Sequence, residues 1–251
     1  MTALDPGVHT YGGLSPDTGK APAKIAGMFD AIASRYDLLN HVLSGGQDLY
    51  WRWRAVRRLR LTGTEQVLDL CTGTCDVART IVRRRLARRV LGIDFSAEML
   101  RVGQRKLRGE GREALIPLVR ADAMRLPAAS GSMDAVTIAF GIRNVQDASV
   151  ALREVARVLK PGGRLAILEF STPSQPVIRA AYLWYFRNIL PRLGRMVSRH
   201  GEAYAYLPAS VESFTPPTDF LTQLERAGLT RCEAVPLTFG VVYLYVASRA
   251  A

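Results

Sequence analysis

The chain predicts an α/β fold built on a doubly wound, mostly parallel sheet, and three observations carry that expectation. Val67-Leu68-Asp69-Leu70-Cys71 is an apolar strand pattern that runs into the small-residue turn Thr72-Gly73-Thr74, with a helical pattern behind it. A second apolar run, Val90-Leu91-Gly92-Ile93, closes on an acid, Asp94. From there to residue 170, strand and helix patterns alternate, an order that implies parallel strands joined by right-handed crossovers.

Taken in order, residues 1–20 are rich in Gly, Pro and Thr and have no apolar stretch of the signal-peptide kind, so they read as a flexible leader. Residues 21–251 are expected to form one domain, since 251 residues suit a single core. The segment 21–61 reads as helical, because Ile25, Met28, Phe29, Ile32 and Tyr36 recur at helical spacing. A break follows at Ser44-Gly45-Gly46, and Leu49-Tyr50-Trp51-Arg52-Trp53 then leads into Val56 and Leu59. These aromatics ahead of the first strand fit either a lid over a ligand site or plain packing of a helix on the sheet.

Strands are expected near 66–71, 90–94, 116–121, 134–140 and 164–170, with helices near 76–87, 96–108 and 147–159. Lys160-Pro161-Gly162-Gly163 marks a turn before the last of these strands. The segment 176–215 then interrupts the alternation with an inserted helical piece. It mixes Tyr182, Trp184, Tyr185, Phe186 and Leu190 with Arg179, Arg187, Arg192, Arg195 and Arg199. A helix over 218–227 stops at Gly228. Strands over 231–237 and 241–248 flank Thr238-Phe239-Gly240, which predicts an antiparallel hairpin closing a seven-stranded sheet.

Composition narrows the function classes. No apolar run reaches the roughly 18–20 residues of a membrane span. Cys71, Cys75 and Cys232 form no metal pattern with His9, His41 and His200, and a reducing cytoplasm is the simple reading. The net charge of +12 is carried almost wholly by arginine. It fits a solvated basic face, contact with anionic lipid, or, less well, nucleic acid.

The ligand turn lacks the third glycine of a dinucleotide fingerprint, and there is no phosphate-cradling loop. An acid after the second strand can accept both hydroxyls of a ribose. An adenosyl ligand without a pyrophosphate suits that arrangement, and S-adenosylmethionine is one.

Several motifs then point to a family. Tyr36-Asp37-Leu38-Leu39-Asn40 with Ser44 and Trp51-Arg52, Phe140-Gly141-Ile142-Arg143-Asn144-Val145, and Val158-Leu159-Lys160-Pro161-Gly162-Gly163-Arg164 with Leu168-Glu169-Phe170-Ser171 resemble the signatures of the ubiquinone/menaquinone C-methyltransferases. The resemblance runs from about residue 25 to the C-terminus. It implies a Rossmann-like, seven-stranded class I methyltransferase sheet that takes S-adenosylmethionine and methylates a ring carbon of demethylmenaquinol or of a polyprenyl benzoquinol.

The same resemblance implies site residues. Thr74, beside Gly73, matches the turn residue at the methionine end of the cofactor. Asp94 matches the ribose acid, and Asp122 with Ala123 the pair that brackets the adenine. Asp69 orients the turn or meets the methionine ammonium, although a strand-end Asp can equally cap a helix. Ala139 stands where some members carry Ser. Cys75 stands where a smaller residue is usual, so its side chain is expected to crowd the cofactor or force φ negative.

Methyl transfer to an aromatic carbon needs an electron-rich ring. Ionising a quinol hydroxyl with a tyrosine-like pKa at pH 7 costs about 4 kcal/mol. Arg143 and Asn144 are the implied catalytic pair. The guanidinium stays protonated and acts as a fixed charge, while Asn144 holds a water that takes the proton. Capping of the helix near 147–159 is the competing reading for both residues. The segment 176–215 is expected to line a channel for the prenyl tail and to rest on anionic lipid at the inner face of the cell membrane. Two other readings remain: a methyltransferase acting on another small phenol or on RNA, and a non-catalytic cofactor-binding protein.

Overall fold

The computed structural model describes residues 8–10, 22–189 and 201–251. Three helices, α1 (Pro22–Ile32), α2 (Tyr36–Ser44) and α3 (Gln47–Arg58), precede the main strands. The expected break between α2 and α3 falls where Gly45 and Gly46 take φ of +57° and +78°. Glycine enters that region without the steric penalty a Cβ brings, so the chain can reverse there.

The strands are β1 (Val8–Thr10), β2 (Gln66–Leu70), β3 (Arg89–Asp94), β4 (Leu118–Arg120), β5 (Met133–Ala139), β6 (Leu159–Phe170), β7 (Leu229–Leu237) and β8 (Val242–Arg249). They form one sheet in the order β1-β4-β3-β2-β5-β6-β8-β7. Neighbours from β1 to β6 are parallel, and β8 runs antiparallel to both β6 and β7. The mostly parallel sheet with a C-terminal hairpin is therefore as expected. The eighth strand, β1, comes from the segment read as a leader and adds to the outer edge of β4, with Val8 opposite Leu118.

A second difference concerns Lys160-Pro161-Gly162-Gly163. These residues do not precede a strand but bulge out of β6. Met133 faces Leu159 and Ala135 faces Arg164, so the four residues are taken up between successive partners. Bulges of this kind re-aim a strand while keeping its pairing.

Side-chain alternation at a period of two divides the core between the two faces of the sheet. Val67, Val90, Ala135, Ala166 and Leu168 pack with α3, α4 (Asp76–Arg83) and α5 (Ala97–Gly109). Leu68, Leu70, Val136, Ile138, Leu165 and Ile167 pack on the other face with α6 (Ala148–Val158) and with Phe220 and Leu224 of the helix Pro217–Arg226. The inserted piece contributes α7 (Pro176–Asn188) and α8 (Gly201–Glu212). In chain order α9 is therefore Pro217–Arg226. Leu190, Arg192, Arg195 and Arg199 lie outside the described residues. No helix among the described residues is long and apolar enough to cross a membrane.

Candidate active site

The chain runs outward from β2 through β3 to β4, then returns to place β5 on the other side of β2. That reversal leaves a crevice at the strand ends, where such sheets bind ligands. A cleft of about 820 Å³ lies there, walled by Cys71, Gly73, Asp94, Asp122, Ala123, Ala139 and Asn144, with Ile25 and Phe29 of α1 closing it from outside. Five of the seven residues expected at the cofactor thus meet in one cleft: Gly73, Asp94, Asp122, Ala123 and Ala139.

Asp94 accepts the Gly73 N–H at 2.8 Å and the Ser96 N–H at 2.9 Å. Burial raises its carboxyl above the usual range, and the amides of Ser96, Gly73 and Phe95 pull part of the way back. One bond on each oxygen leaves lone pairs for two ribose hydroxyls. Asp122 accepts the Met124 N–H at 2.8 Å, which shapes the turn after β4 and presents Ala123 to the cleft. These are the groups that would hold the adenosine of S-adenosylmethionine, and their chemistry fits it. The walls Phe95, Met99 and Met124 supply the apolar contact an adenine ring needs.

Asp69 and Thr74 do not line the cleft. The Asp69 carboxylate is buried in the turn, where it accepts the Thr72 hydroxyl at 2.6 Å and the Ala78 N–H at 3.1 Å. It therefore holds the turn and caps α4, two of the roles open to a strand-end Asp. Burial pushes this carboxyl up to about 7. A folded pKa above the unfolded one means the native state holds the proton more tightly, so stability falls as pH rises from about 4 to about 7 and levels off above that. Asp69→Asn should remove this loss. Thermal denaturation of both proteins is expected to show the variant gaining on the parent from pH 4 to pH 7 and holding its lead at pH 8. A constant gap across that range would count against it.

The Thr74 hydroxyl donates to Asp37 of α2 at 2.5 Å. Lys106 of α5 pairs with the same Asp37 and with Asp76, 2.9 Å away. Arg52 of α3 then bridges Asp76 at 3.5 Å and Asp48 at 2.5 Å. The Thr74 side chain thus ties the turn to the N-terminal helices. Burial pushes the Asp76 carboxyl up, but Lys106 and Arg52 more than offset this and hold it below the usual range.

The expected crowding by Cys75 does not arise. Cys75 adopts φ of +70°, not a negative value, and is fully buried outside the cleft. Its sulfur fills the space beside Gly103 of α5, where an added Cβ would come within 2.4 Å of it.

A second cavity, of about 1450 Å³, adjoins the first and shares Phe29, Tyr36 and Phe140 with it. Its walls are Met28, Ile32, Leu39 and Leu43 of α1 and α2, Trp51 of α3, Phe170 of β6, and Ile178, Tyr182 and Tyr185 of α7. Residues of α1 and α2 therefore wall both cavities, and Trp51 of α3 also packs on Phe140 and Phe170 edge-on at 6.0 and 6.1 Å. Of the residues expected to line a channel, Tyr182 and Tyr185 line this cavity, and Trp184 faces solvent. Leu190 lies outside the described residues, and the Phe186 side chain is among those left undescribed.

Arg143 and Asn144 sit on the short 3-10 turn Ile142–Asn144. They do not cap α6, because Asp147 does so, accepting the N–H groups of Ser149 and Val150 at 2.8 and 3.1 Å. Arg143 is buried on the wall of the second cavity and pairs with the fully buried Glu169 at 2.5 Å. The same guanidinium donates to the Phe140 carbonyl at 2.8 Å and lies 5.4 Å over the Phe170 ring. Asn144 borders the first cavity, and its Oδ1 accepts the Tyr206 hydroxyl at 2.9 Å. Two of these partners escaped sequence reasoning. An acid inside the apolar run ending at Phe170 signals a buried pair, which points to Glu169. No local signal marks Tyr206.

The family model of the ubiE/COQ5 methyltransferases matches residues 18–249. The ubiquinone/menaquinone biosynthesis C-methyltransferase UbiE of Syntrophotalea carbinolica is 48% identical over 88% of this chain and 92% of its own length. The demethylmenaquinone methyltransferase of Thermus thermophilus is 45% identical over 88% of this chain and all of its own. Among solved structures, the [4+2]-cyclase SpnF superposes with a TM-score of 0.65 at 17% identity, covering 93% of this chain and 97% of that one. A Haemonchus contortus phosphoethanolamine N-methyltransferase bound to S-adenosylhomocysteine gives 0.62 at 14% identity, covering 80% and 53%. At such identities the structures speak for the fold alone, and a cyclase among them shows how little a fold says about chemistry. The match along nearly the whole sequence decides more: the chain belongs to the ubiE/COQ5 methyltransferase family and is an S-adenosylmethionine-dependent C-methyltransferase.

Proposed function

We propose that the chain methylates a ring carbon of demethylmenaquinol in menaquinone biosynthesis. The observation that carries this reading is the aromatic-lined cavity that meets the cofactor cleft at Phe29, Tyr36 and Phe140, with the Arg143 guanidinium on its wall. S-adenosylmethionine supplies an activated methyl group, so this chain's task is placement and charge. Glu169 neutralises Arg143 from behind but does not line the cavity, so the cavity meets the positive end of the pair. That charge stabilises an ionised quinol hydroxyl and offsets part of the roughly 4 kcal/mol its ionisation costs. Asn144, oriented by Tyr206, holds the water that takes the proton.

The naphthoquinol is favoured over the benzoquinol of ubiquinone synthesis because Asp69-Leu70-Cys71-Thr72-Gly73-Thr74 resembles the menaquinone-type turn. The experiment is transfer of labelled methyl from S-adenosylmethionine to short-chain demethylmenaquinol, with the benzoquinol alongside. Carbon-bound label on the naphthoquinol is the expected result. Label on the benzoquinol alone would reverse the choice, and label on neither would move the acceptor to another phenol or to RNA.

A prenyl tail has to reach this cavity, and the exposed apolar side chains suggest from where. Leu38, Val42, Leu49, Val177, Trp184 and Phe239 are all exposed. Each neighbours in sequence a residue that lines the cavity: Leu39, Leu43, Asp48, Ile178, Tyr185 and Thr238. Exposed apolar side chains so close in sequence to the cavity wall, on a chain of net charge +12, suit peripheral contact with the anionic inner face of a cell membrane. The protein is expected to float with anionic liposomes at low salt and to lose that binding when Val177, Trp184 and Phe239 are all changed to Ser. Flotation unaffected by the triple change would put the contact elsewhere.

A further inference from the structure

The second cavity holds two buried charged groups, and only Arg143 has been given a task. The other is built around Asp48, at the start of α3. Asp48 is 2% exposed and lines the cavity beside Ser44 and Arg52. Its carboxylate accepts the Ser44 hydroxyl at 2.9 Å and an Arg52 N–H at 2.5 Å, and His41 Nδ1 lies 2.8 and 3.0 Å from its two oxygens. Only three hydrogens reach these four contacts, because one His41 N–H is shared between both oxygens, so the carboxylate can still accept from a fourth donor that takes over one side of the shared bond.

The two charged groups flank an aromatic wall. The Phe140 and Phe170 rings lie 4.6 Å apart, with the Arg52 guanidinium 5.8 Å from the first and that of Arg143 5.4 Å from the second. Tyr36, on the boundary with the cofactor cleft, feels the charge of both arginines. A flat ring bearing two opposed oxygens matches this layout, with one oxygen toward Arg143 and the other toward Asp48.

We infer that Asp48 is the residue that selects the reduced substrate. The inference rests on the quinol reading above. A quinol hydroxyl can donate to the carboxylate. A quinone carbonyl has only lone pairs to offer and meets the same carboxylate with repulsion. Sites built to bond an O–H reject analogues that lack it far more strongly than apolar pockets reject a change of size. Selection matters for the chemistry because only the reduced ring is electron-rich enough to attack a methyl group. His41 and Ser44 position the carboxylate, and Arg52 ties it to Asp76 and so to the cofactor turn.

The test compares, under anaerobic conditions, the KM of short-chain demethylmenaquinol with the inhibition constant of its oxidised quinone, for the parent protein and for Asp48→Asn. An amide can donate to the carbonyl that the carboxylate repels. The parent should bind the quinol at least about tenfold more tightly than the quinone, as expected for a charge-assisted bond. In Asp48→Asn the KM should rise and the quinone constant should fall. A residue that merely supports the α2–α3 turn would shift both constants in the same direction, and that result, or equal binding of the two redox forms by the parent, overturns the inference. If Asp48→Asn does not fold, His41→Ala asks the same question. His41 does not line the cavity, and losing its bond leaves Asp48 more dependent on a substrate donor. The preference for quinol should then widen, and an unchanged preference overturns the inference. A parent that methylates no quinol is a different failure, that of the functional reading itself.

Discussion

Arg143→Lys is expected to lower kcat by about 10²–10³-fold, the range seen when one preorganised donor is lost from a site of developing negative charge. Lysine keeps the positive charge and can still face Glu169. It cannot reproduce a planar guanidinium that bonds Glu169 and the Phe140 carbonyl through one nitrogen and Ser210 through another while lying over Phe170. Cofactor affinity should stay as it is, because Arg143 lines the substrate cavity and not the cofactor cleft.

The pH profile gives the argument its sign. A weaker cation leaves the quinol hydroxyl with a higher pKa, so the variant should recover activity as pH rises and its profile should move upward. Arg143→Ala is a poorer probe, since it strands the fully buried Glu169 and should cost about 3–5 kcal/mol of stability. Steady-state kinetics from pH 6 to pH 10, alongside calorimetry, separate the two effects. Wild-type turnover by Arg143→Lys at neutral pH would remove the guanidinium from the mechanism.

The second large effect is steric. A Cβ added to Gly141 would lie 2.3 Å from the Cβ of Cys71 and 2.8 Å from its sulfur. Cys71 is the first residue after β2 and a wall of the cofactor cleft, and it already sits at φ of +55°. The two loops therefore touch with only a hydrogen to spare on one side. Gly141→Ala should destabilise the fold by about 1–3 kcal/mol, as overpacked sites do, and weaken S-adenosylhomocysteine binding by displacing the turn.

The cause can be isolated. Cys71→Gly removes the clashing atoms and suits a positive φ, so the double variant should regain most of the lost stability and affinity. Calorimetric titration on the four proteins of that cycle is the measurement. If Cys71→Gly brought no recovery, the damage would lie elsewhere in the turn.

Much of the fold was legible in the sequence because local patterns and global topology agree. Apolar runs at β2, β3, β5 and β6 alternate with helical periodicity, and right-handed crossovers leave a parallel sheet few arrangements. The bulge in β6 was missed because Lys-Pro-Gly-Gly has the same turn chemistry whether it ends a loop or interrupts a strand. β1 was missed because three residues within a Gly- and Pro-rich segment carry no periodicity of their own. Its pairing is supplied by the exposed edge of β4.

The site divides in the same way. Asp94, Asp122 and Ala123 stand at strand ends, and strand order alone brings strand ends together, so sequence position sufficed to place them. Asp69 and Thr74 occupy equally telling positions, but what a polar side chain does depends on which partner reaches it first. The Thr72 hydroxyl and the Ala78 amide hold one, and Asp37, from a helix far back in the chain, holds the other.

The sequence by itself determined the parallel sheet, the crevice at its strand ends and the family, since these follow from short-range patterns and contiguous motifs. The tertiary structure alone decided that the N-terminal helices help wall two joined cavities, that Cys75 turns into the core beside Gly103, and that Arg143 and Asp48 flank one aromatic wall. Those facts depend on contacts between residues far apart in the chain, and a buried charge or sulfur takes its role from whatever the fold packs against it.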